Sequence, residues 1–265
     1  LIGFAIDMDG TVYKGDNPIP GAKEFIAELR KRGIPFRFLT NNSSHTRGFF
    51  AARLKRLGFD VTDDDVLSST LATTRFIADK RKGKTVRVIA TPDVCKEIEV
   101  SGIQMCQTGQ PDIVLLTFDT TIDYAKINDG YHCMLAGSEL IATHPDDVCP
   151  TEDSYDVDIG PFIRLYESLT GKDATVIGKP NRLMLEMAGA EMGIPPEDVV
   201  MIGDRLSTDI RMAELAGTRS ILVLSGETDR AIFESSDSRP TFVLDSVADI
   251  VPQLLDTGRL RPSVL

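Results

Sequence analysis

Short apolar runs alternate with amphipathic stretches along almost the whole chain. The first run, Leu1 to Ile6, is continuously apolar, which predicts a short strand buried on both faces. Pro18-Ile19-Pro20-Gly21 then introduces a stretch with Ala22, Phe25, Ile26 and Leu29 on one helical face, stopped by Gly33. Ile34 to Leu39 predicts a second strand, followed by a helix through Leu57 and another from about Ser69 to Asp79. Between those helices, Asp63-Asp64-Asp65 reads as a solvated turn and cap. Lys80 to Lys84 is basic, contains glycine and suits a hinge, and beyond it the rhythm restarts. Strand Thr85–Ala90, helix Pro92–Ser101, strand Ile113–Phe118, helix Ile122–Leu135 and strand Glu139–Thr143 form an α/β unit of their own. His144 to Asp158 is a long, acidic, proline-bearing loop, and loops of that length often carry function. A helix with Phe162, Ile163, Leu165 and Tyr166 on its apolar side ends at Gly171. Further strand–helix pairs follow, with strands before Gly178, at Val199–Gly203, at Ile221–Leu224 and at Thr241–Leu244, and a last helix near Ala248–Leu255.

Strand–helix alternation of this kind predicts an α/β fold with a doubly wound, Rossmann-like parallel sheet. The restart after Lys84 predicts an inserted smaller α/β domain, so residues 1–81 and 175–265 form the core and 82–174 the insert. No internal repeat or low-complexity segment interrupts this pattern.

Charge narrows the partners. A net charge of −11 argues against nucleic-acid polymers and anionic membranes, and no apolar stretch approaches the ~20 residues of a membrane span. The same charge means that an anionic substrate needs a locally positive pocket. Cys95, Cys106, Cys133 and Cys149 lack zinc-type pairing and read as buried, reduced thiols of a cytoplasmic protein without a secretory signal.

The chemistry collects where strands end. Ligands of parallel sheets bind beyond the carboxyl ends of the strands, and the first strand ends in Asp7-Met8-Asp9-Gly10-Thr11. Two carboxylates one residue apart repel each other unless a cation or a shared proton intervenes. An EF-hand is excluded, because, counting Asp7 as the first position, glycine falls at the fourth rather than the sixth and Pro18 stands where the twelfth-position glutamate belongs. The second strand runs into Thr40-Asn41-Asn42-Ser43-Ser44, which reads either as a helix cap cluster or as an anion site. Lys179 sits between Gly178 and Pro180, and Val199–Gly203 leads into Asp204 and then Asp209. Carboxylates with one lysine and several hydroxyl or amide donors suit Mg²⁺ and phosphoryl transfer, for which aspartate is a competent nucleophile.

These residues resemble the haloacid dehalogenase-like superfamily, and within it the 4-nitrophenyl phosphatase/ribonucleotide monophosphatase branch with a large α/β cap. The resemblance rests on Asp7-Met8-Asp9-Gly10-Thr11, Thr40-Asn41-Asn42, Gly178-Lys179-Pro180 and Gly203-Asp204-Arg205-Leu206-Ser207-Thr208-Asp209, in that order, with the cap between the second and third. It implies that Asp7 is the nucleophile and Asp9 the general acid and base. It implies Mg²⁺ held by the Asp7 carboxylate, the Asp9 carbonyl and Asp204, with Asp209 in support. Thr40, Asn41, Asn42 and Lys179 would hold the phosphoryl group of a small phosphorylated metabolite, with 4-nitrophenyl phosphate as a surrogate. The cap would choose the substrate, and caps of this sort can join two chains as a homodimer. His144, which alone reads as a solvated or capping residue, becomes a candidate substrate contact by the same resemblance. Ile159-Gly160-Pro161-Phe162 departs from the small residues expected there. Two rivals are a phosphoacceptor signalling module and a catalytically weak regulatory or phosphate-binding protein of the same fold. The first places its acceptor after a later strand, where this chain has Thr40. The second is disfavoured by the retention of every motif residue.

Overall fold

The computed structural model describes residues 2–151 and 154–261. Leu1 of the opening run, and Glu152 and Asp153 of the long loop, lie outside the described residues. The chain divides into two compact units. The first comprises the residues through Thr40, Gly48–Leu67 and the chain from Lys179 onward; the second comprises Asn41–Arg47 and Ser68–Gly178. The second unit therefore begins well before residue 82. Helix Ser69–Lys80 belongs to it, and the basic stretch at Lys80–Lys84 lies inside it rather than at its edge.

The first unit is built on a six-stranded sheet. Its order is Phe242–Leu244, Ser220–Val223, Val199–Gly203, Gly3–Asp7, Phe36–Thr40, Val66–Ser68. Gly3–Asp7 pairs in parallel with Phe36–Thr40 on one side and Val199–Gly203 on the other. The chain thus leaves the first strand in one direction and later returns on its opposite side, which makes the end of Gly3–Asp7 the topological switch point. Phe4 and Ile6, Phe36 and Phe38, Val200 and Ile202, and Ile221 and Val223 share one face by the period-two rule. They pack there with Phe25, Ile26 and Leu29 of helix Ala22–Arg32. Helix Leu183–Met192 also packs on strands of this sheet, with Met192 close to Gly3. Burial on both faces explains why the opening run is continuously apolar, and each large side chain removed from water there contributes roughly 1.5–3 kcal/mol. Register fixes the site: Ile6 is level with Ile202 and Asp7 with Leu39, so Asp7, Thr40 and Asp204 all fall at the carboxyl ends of neighbouring strands.

The second unit carries a four-stranded parallel sheet ordered Thr175–Val176, Glu139–Ala142, Ile113–Leu116, Val86–Ile89. Val114, Leu116, Leu140 and Ala142 form its core with Met134, Ile163 and Tyr166. Tyr166 is fully buried and its hydroxyl donates to the Ile127 carbonyl at 3.0 Å.

Several local expectations change in the structure. The loop after Thr11 folds into a small hairpin, Tyr13–Lys14 against Asn17–Pro18. The loop from His144 also contains an antiparallel pair, Val148–Pro150 against Tyr155–Val157. Asp65 is not solvated: it is buried, accepts from the Thr62 N–H at 2.7 Å and pairs with Arg30 at 2.5 Å. The final helix is irregular, a 3₁₀ turn at Val247–Asp249 and a π turn at Val251–Leu255, because Pro252 lacks the N–H that a regular helix needs. All four cysteines are free thiols, but only Cys133 is buried. Among the described residues no helix is long and apolar enough to cross a membrane.

Candidate active site

Four carboxylates and two cations gather at the switch point of the first unit. Asp7 ends the central strand. Asp204 follows Val199–Gly203, and Asp209 lies in the π turn Leu206–Ile210, which the chain enters directly. Carboxylate oxygens of Asp7, Asp204 and Asp209 lie within 4.8 Å of one another, and all three residues are buried. Lys179 joins two of them: its Nζ is 2.5 Å from Asp7 Oδ1 and 2.7 Å from Asp209 Oδ1. Burial alone would lower the pKa of this lysine, but Asp209 and Asp7 outweigh it and hold the ammonium charged.

Asp204 is held from several directions. Thr11 Oγ1 donates to its Oδ1 at 3.1 Å, and the Glu227 N–H donates to its Oδ2 at 2.6 Å. The backbone comes very close to it. A Cβ on Gly226 would lie 2.0 Å from Asp204 Oδ2, and one on Gly10, whose φ is +81°, would lie 2.3 Å from the same atom. Only glycine fits at these two positions. Burial first, then Asp7 and Asp209, push the Asp204 carboxyl well above the ordinary range. Burial raises Asp209 as well, with Lys179 opposing and Asp7 adding to the rise. Asp209 Oδ2 also accepts from the Arg205 N–H at 3.2 Å, while the Arg205 guanidinium pairs with Glu227 at 2.8 Å.

Three buried carboxylates against one ammonium leave a surplus of two negative charges. All the carboxylate ligand atoms are oxygens, and the upward shifts of Asp204 and Asp209 reflect burial in company with the neighbouring carboxylates. This set therefore fits a hard divalent cation. Asp9 differs from the others because it reaches solvent. Its surroundings still raise its pKa, through burial first and Asp7 second, with Arg53, Arg205 and Lys14 opposing and water screening much of the effect.

The sequence-derived site is thus brought together in part. Lys179 contacts Asp7 and Asp209, Asp204 has a carboxylate oxygen within 4.8 Å of theirs, Asp9 stands two residues beyond Asp7, and Thr40 is buried at the end of the adjacent strand. Asn41, Asn42 and His144 belong to the second unit. There the Asn41 Nδ2 donates to both oxygens of Asp146 at 3.2 Å, and the Asn42 Nδ2 lies 3.6 Å from Cys149 Sγ. His144 is fully buried, with Nδ1 3.1 Å from Thr143 Oγ1 and Nε2 2.9 Å from Asp158 Oδ1. A ring enclosed in this way differs from the loop histidine open to substrate that the sequence suggested. Gly160 fits the same region for a steric reason, since a Cβ there would lie 2.6 Å from the Pro145 carbonyl oxygen. Thr11 and Arg205 stand inside motifs quoted from the sequence without a role of their own, and Gly226 and Glu227 are site residues that the sequence reading passed over. The position of Ser225-Gly226 just after the strand Ser220–Val223 is the signal that could have found them.

Comparison with known proteins agrees with this geometry. Residues 4–104 match the family model of haloacid dehalogenase-like hydrolases, and residues 176–250 match a second model of HAD-like hydrolases. The chain is 32% identical to a 5'-nucleotidase of Bacillus subtilis over 95% of its own length and 98% of the relative's. It is 32% identical to a dihydroxyacetone phosphatase of Corynebacterium glutamicum, covering 94% of this chain and 90% of that one. The crystal structure of a 4-nitrophenylphosphatase from Thermotoga maritima superposes with a TM-score of 0.91 at 34% identity, over 95% of this chain and 97% of that chain. Aspartates converging on a switch point, a lysine bridging two of them, and full-length similarity in sequence and fold lead to one assignment: the chain belongs to the haloacid dehalogenase-like hydrolases.

Proposed function

We propose that this protein is a phosphatase that hydrolyses a small phosphate monoester through an aspartyl-phosphate on Asp7. The observation that supports this most is the Asp7 carboxylate at the end of the central strand, in contact with Lys179 and beside Asp204 and Asp209. Asp7 attacks phosphorus and the ester P–O bond breaks, while Asp9 gives its proton to the departing alkoxide. Water then attacks the acyl phosphate, Asp9 takes a proton from it, and inorganic phosphate leaves with Asp7 restored. The raised pKa of Asp9 suits a group that must hold a proton in the first step. Lys179 and Thr40 supply donors to the phosphoryl oxygens, the positive and polar surroundings that a −11 protein needs for an anion. Asp7, Asp204 and the Asp9 carbonyl would hold Mg²⁺, with Asp209 in support; when bound, the cation neutralises phosphoryl charge.

We assign the second unit the choice of substrate. The relatives include a 5'-nucleotidase and a dihydroxyacetone phosphatase, so they support the reaction class while differing in substrate. Four free thiols suit the reducing cytoplasm. The test is phosphate release from 4-nitrophenyl phosphate and from a panel of phosphorylated metabolites, with and without Mg²⁺. Mg²⁺-dependent release abolished by Asp7→Asn supports the reading. Binding of phosphate esters without turnover would instead support the regulatory alternative.

A further inference from the structure

Arg205 stands between Asp204 and the π turn that carries Asp209, so its side chain starts among the carboxylates of the first unit. Burial works against its charge, and Glu227, followed by Asp7, Asp204 and Asp209, outweighs that effect. Among the described residues the guanidinium nevertheless donates a hydrogen bond to none of those three aspartates. Its one ion pair is with Glu227, Nε to Oε2 at 2.8 Å, and the two side chains keep 21% and 46% of their surface exposed.

The loop that carries Glu227 has other ties to hold it in place. Ser225 Oγ donates to the Gly10 carbonyl at 2.8 Å, the Glu227 N–H to Asp204 Oδ2 at 2.6 Å, and the Thr228 N–H to the Asp204 carbonyl at 3.2 Å. Gly226 lies so close to Asp204 that a Cβ has no room. A partly exposed ion pair adds little to a loop fixed in this way. What the pair does hold is the guanidinium.

We propose that Glu227 is a positioning residue that acts through Arg205: it keeps the guanidinium off the carboxylate oxygens of Asp7, Asp204 and Asp209, so that they stay open to a divalent cation. This rests on the metal site of the phosphatase reading above. Arginine is always charged, and its fork of donors matches a carboxylate in two places at once. Released from Glu227, it would turn to the surplus negative charge beside it and cover the oxygens that a hard cation needs.

The test is a double-variant cycle read by calorimetric titration of Mg²⁺ into the metal-free protein, with melting temperature as a check on folding. Glu227→Gln frees the guanidinium and raises the Mg²⁺ dissociation constant about 10- to 100-fold, the loss usual when the surroundings of a metal ligand are disturbed. The melting temperature of the metal-free protein does not fall with it. Arg205→Gln alone changes the constant by less than about threefold, because the competing cation is gone and the loop keeps its other bonds. Arg205→Gln/Glu227→Gln returns to within about threefold of the wild type, although it carries both substitutions. If Glu227 instead attracts Mg²⁺ by its own charge, Arg205→Gln tightens binding by the same factor in both backgrounds. If the pair fixes the loop, both single variants weaken binding and the double variant is no better than either. Each of these results overturns the proposal, as does wild-type Mg²⁺ affinity in Glu227→Gln. A wild type that binds no Mg²⁺, in contrast, removes the metal site and this inference with it. The two failures are told apart by the titration of the unsubstituted protein.

Discussion

Among the described residues, two clusters bring three possible metal ligands within 4.8 Å of one another, and they are opposite in character. Asp7, Asp204 and Asp209 form one; His144, Asp146 and Asp158 form the other. In the second, polar groups are matched inside the unit: His144 with Thr143 and Asp158, Asp146 with Asn41. In the first, one lysine serves two of three buried carboxylates, and two of those carboxyls are driven above their ordinary pKa. Distance between ligand atoms is therefore a poor guide to chemistry. Unbalanced charge in a buried place is the better one, because a folded protein tolerates it only where something else supplies the missing charge.

The largest effect that sharpens this contrast is on turnover. Asp7→Asn should remove nearly all phosphate release, because enzymes accelerate phosphate-monoester hydrolysis by up to ~10²¹-fold. Retention of more than about a hundredth of wild-type activity in contaminant-free protein would place the nucleophile elsewhere. Chelation should come next, silencing the enzyme reversibly. Mg²⁺ should restore it and Ca²⁺ should not, since looser and higher coordination misplaces an in-line attack.

A smaller and more local effect is expected from Gly226→Ala. Its methyl group cannot coexist with Asp204 Oδ2 at 2.0 Å, so the carboxylate or its loop must shift. The Mg²⁺ concentration for half-maximal activity should rise about 10- to 100-fold, the usual cost of disturbing support around a metal ligand, with little change in melting temperature. The smallest effect on chemistry is expected from His144→Ala. Loss of a buried partner for Asp158 should cost roughly 1–3 kcal/mol of stability. kcat/KM for 4-nitrophenyl phosphate and for the best metabolite should change together. A selective loss for the metabolite would return His144 to the substrate and break the contrast.

The part of the site that could be read from sequence is the part that local rules govern. A continuous apolar run predicts a buried parallel strand, and such a strand delivers its next residue to the carboxyl edge. Asp7, Thr40 and Asp204 were legible for that reason, whereas Lys179 follows Thr175–Val176, a half-buried strand of the second unit's sheet. The partners of Asn41 and Asn42 were not, because they lie 105 and 107 residues away and follow from how the 143–149 segment packs. His144 carried no signal of its burial, since its partner Asp158 lies across a hairpin that an acidic, proline-bearing stretch concealed. The start of the second unit was misplaced on composition. Lys80–Lys84 has the residues of a hinge, whereas the observed crossing between Leu67 and Ser68 falls inside the short strand Val66–Ser68 and leaves no local mark.

The most direct measurement is a count of bound divalent ions, by calorimetric titration of Mg²⁺ into the metal-free protein and into Asp204→Asn and His144→Gln. Charge imbalance at Asp7, Asp204 and Asp209 should give one ion per chain in the wild type, an unchanged ion in His144→Gln, and none in Asp204→Asn at the same concentrations. A second ion per chain that disappears in His144→Gln, or an ion that survives in Asp204→Asn, would contradict the assignment of these two clusters.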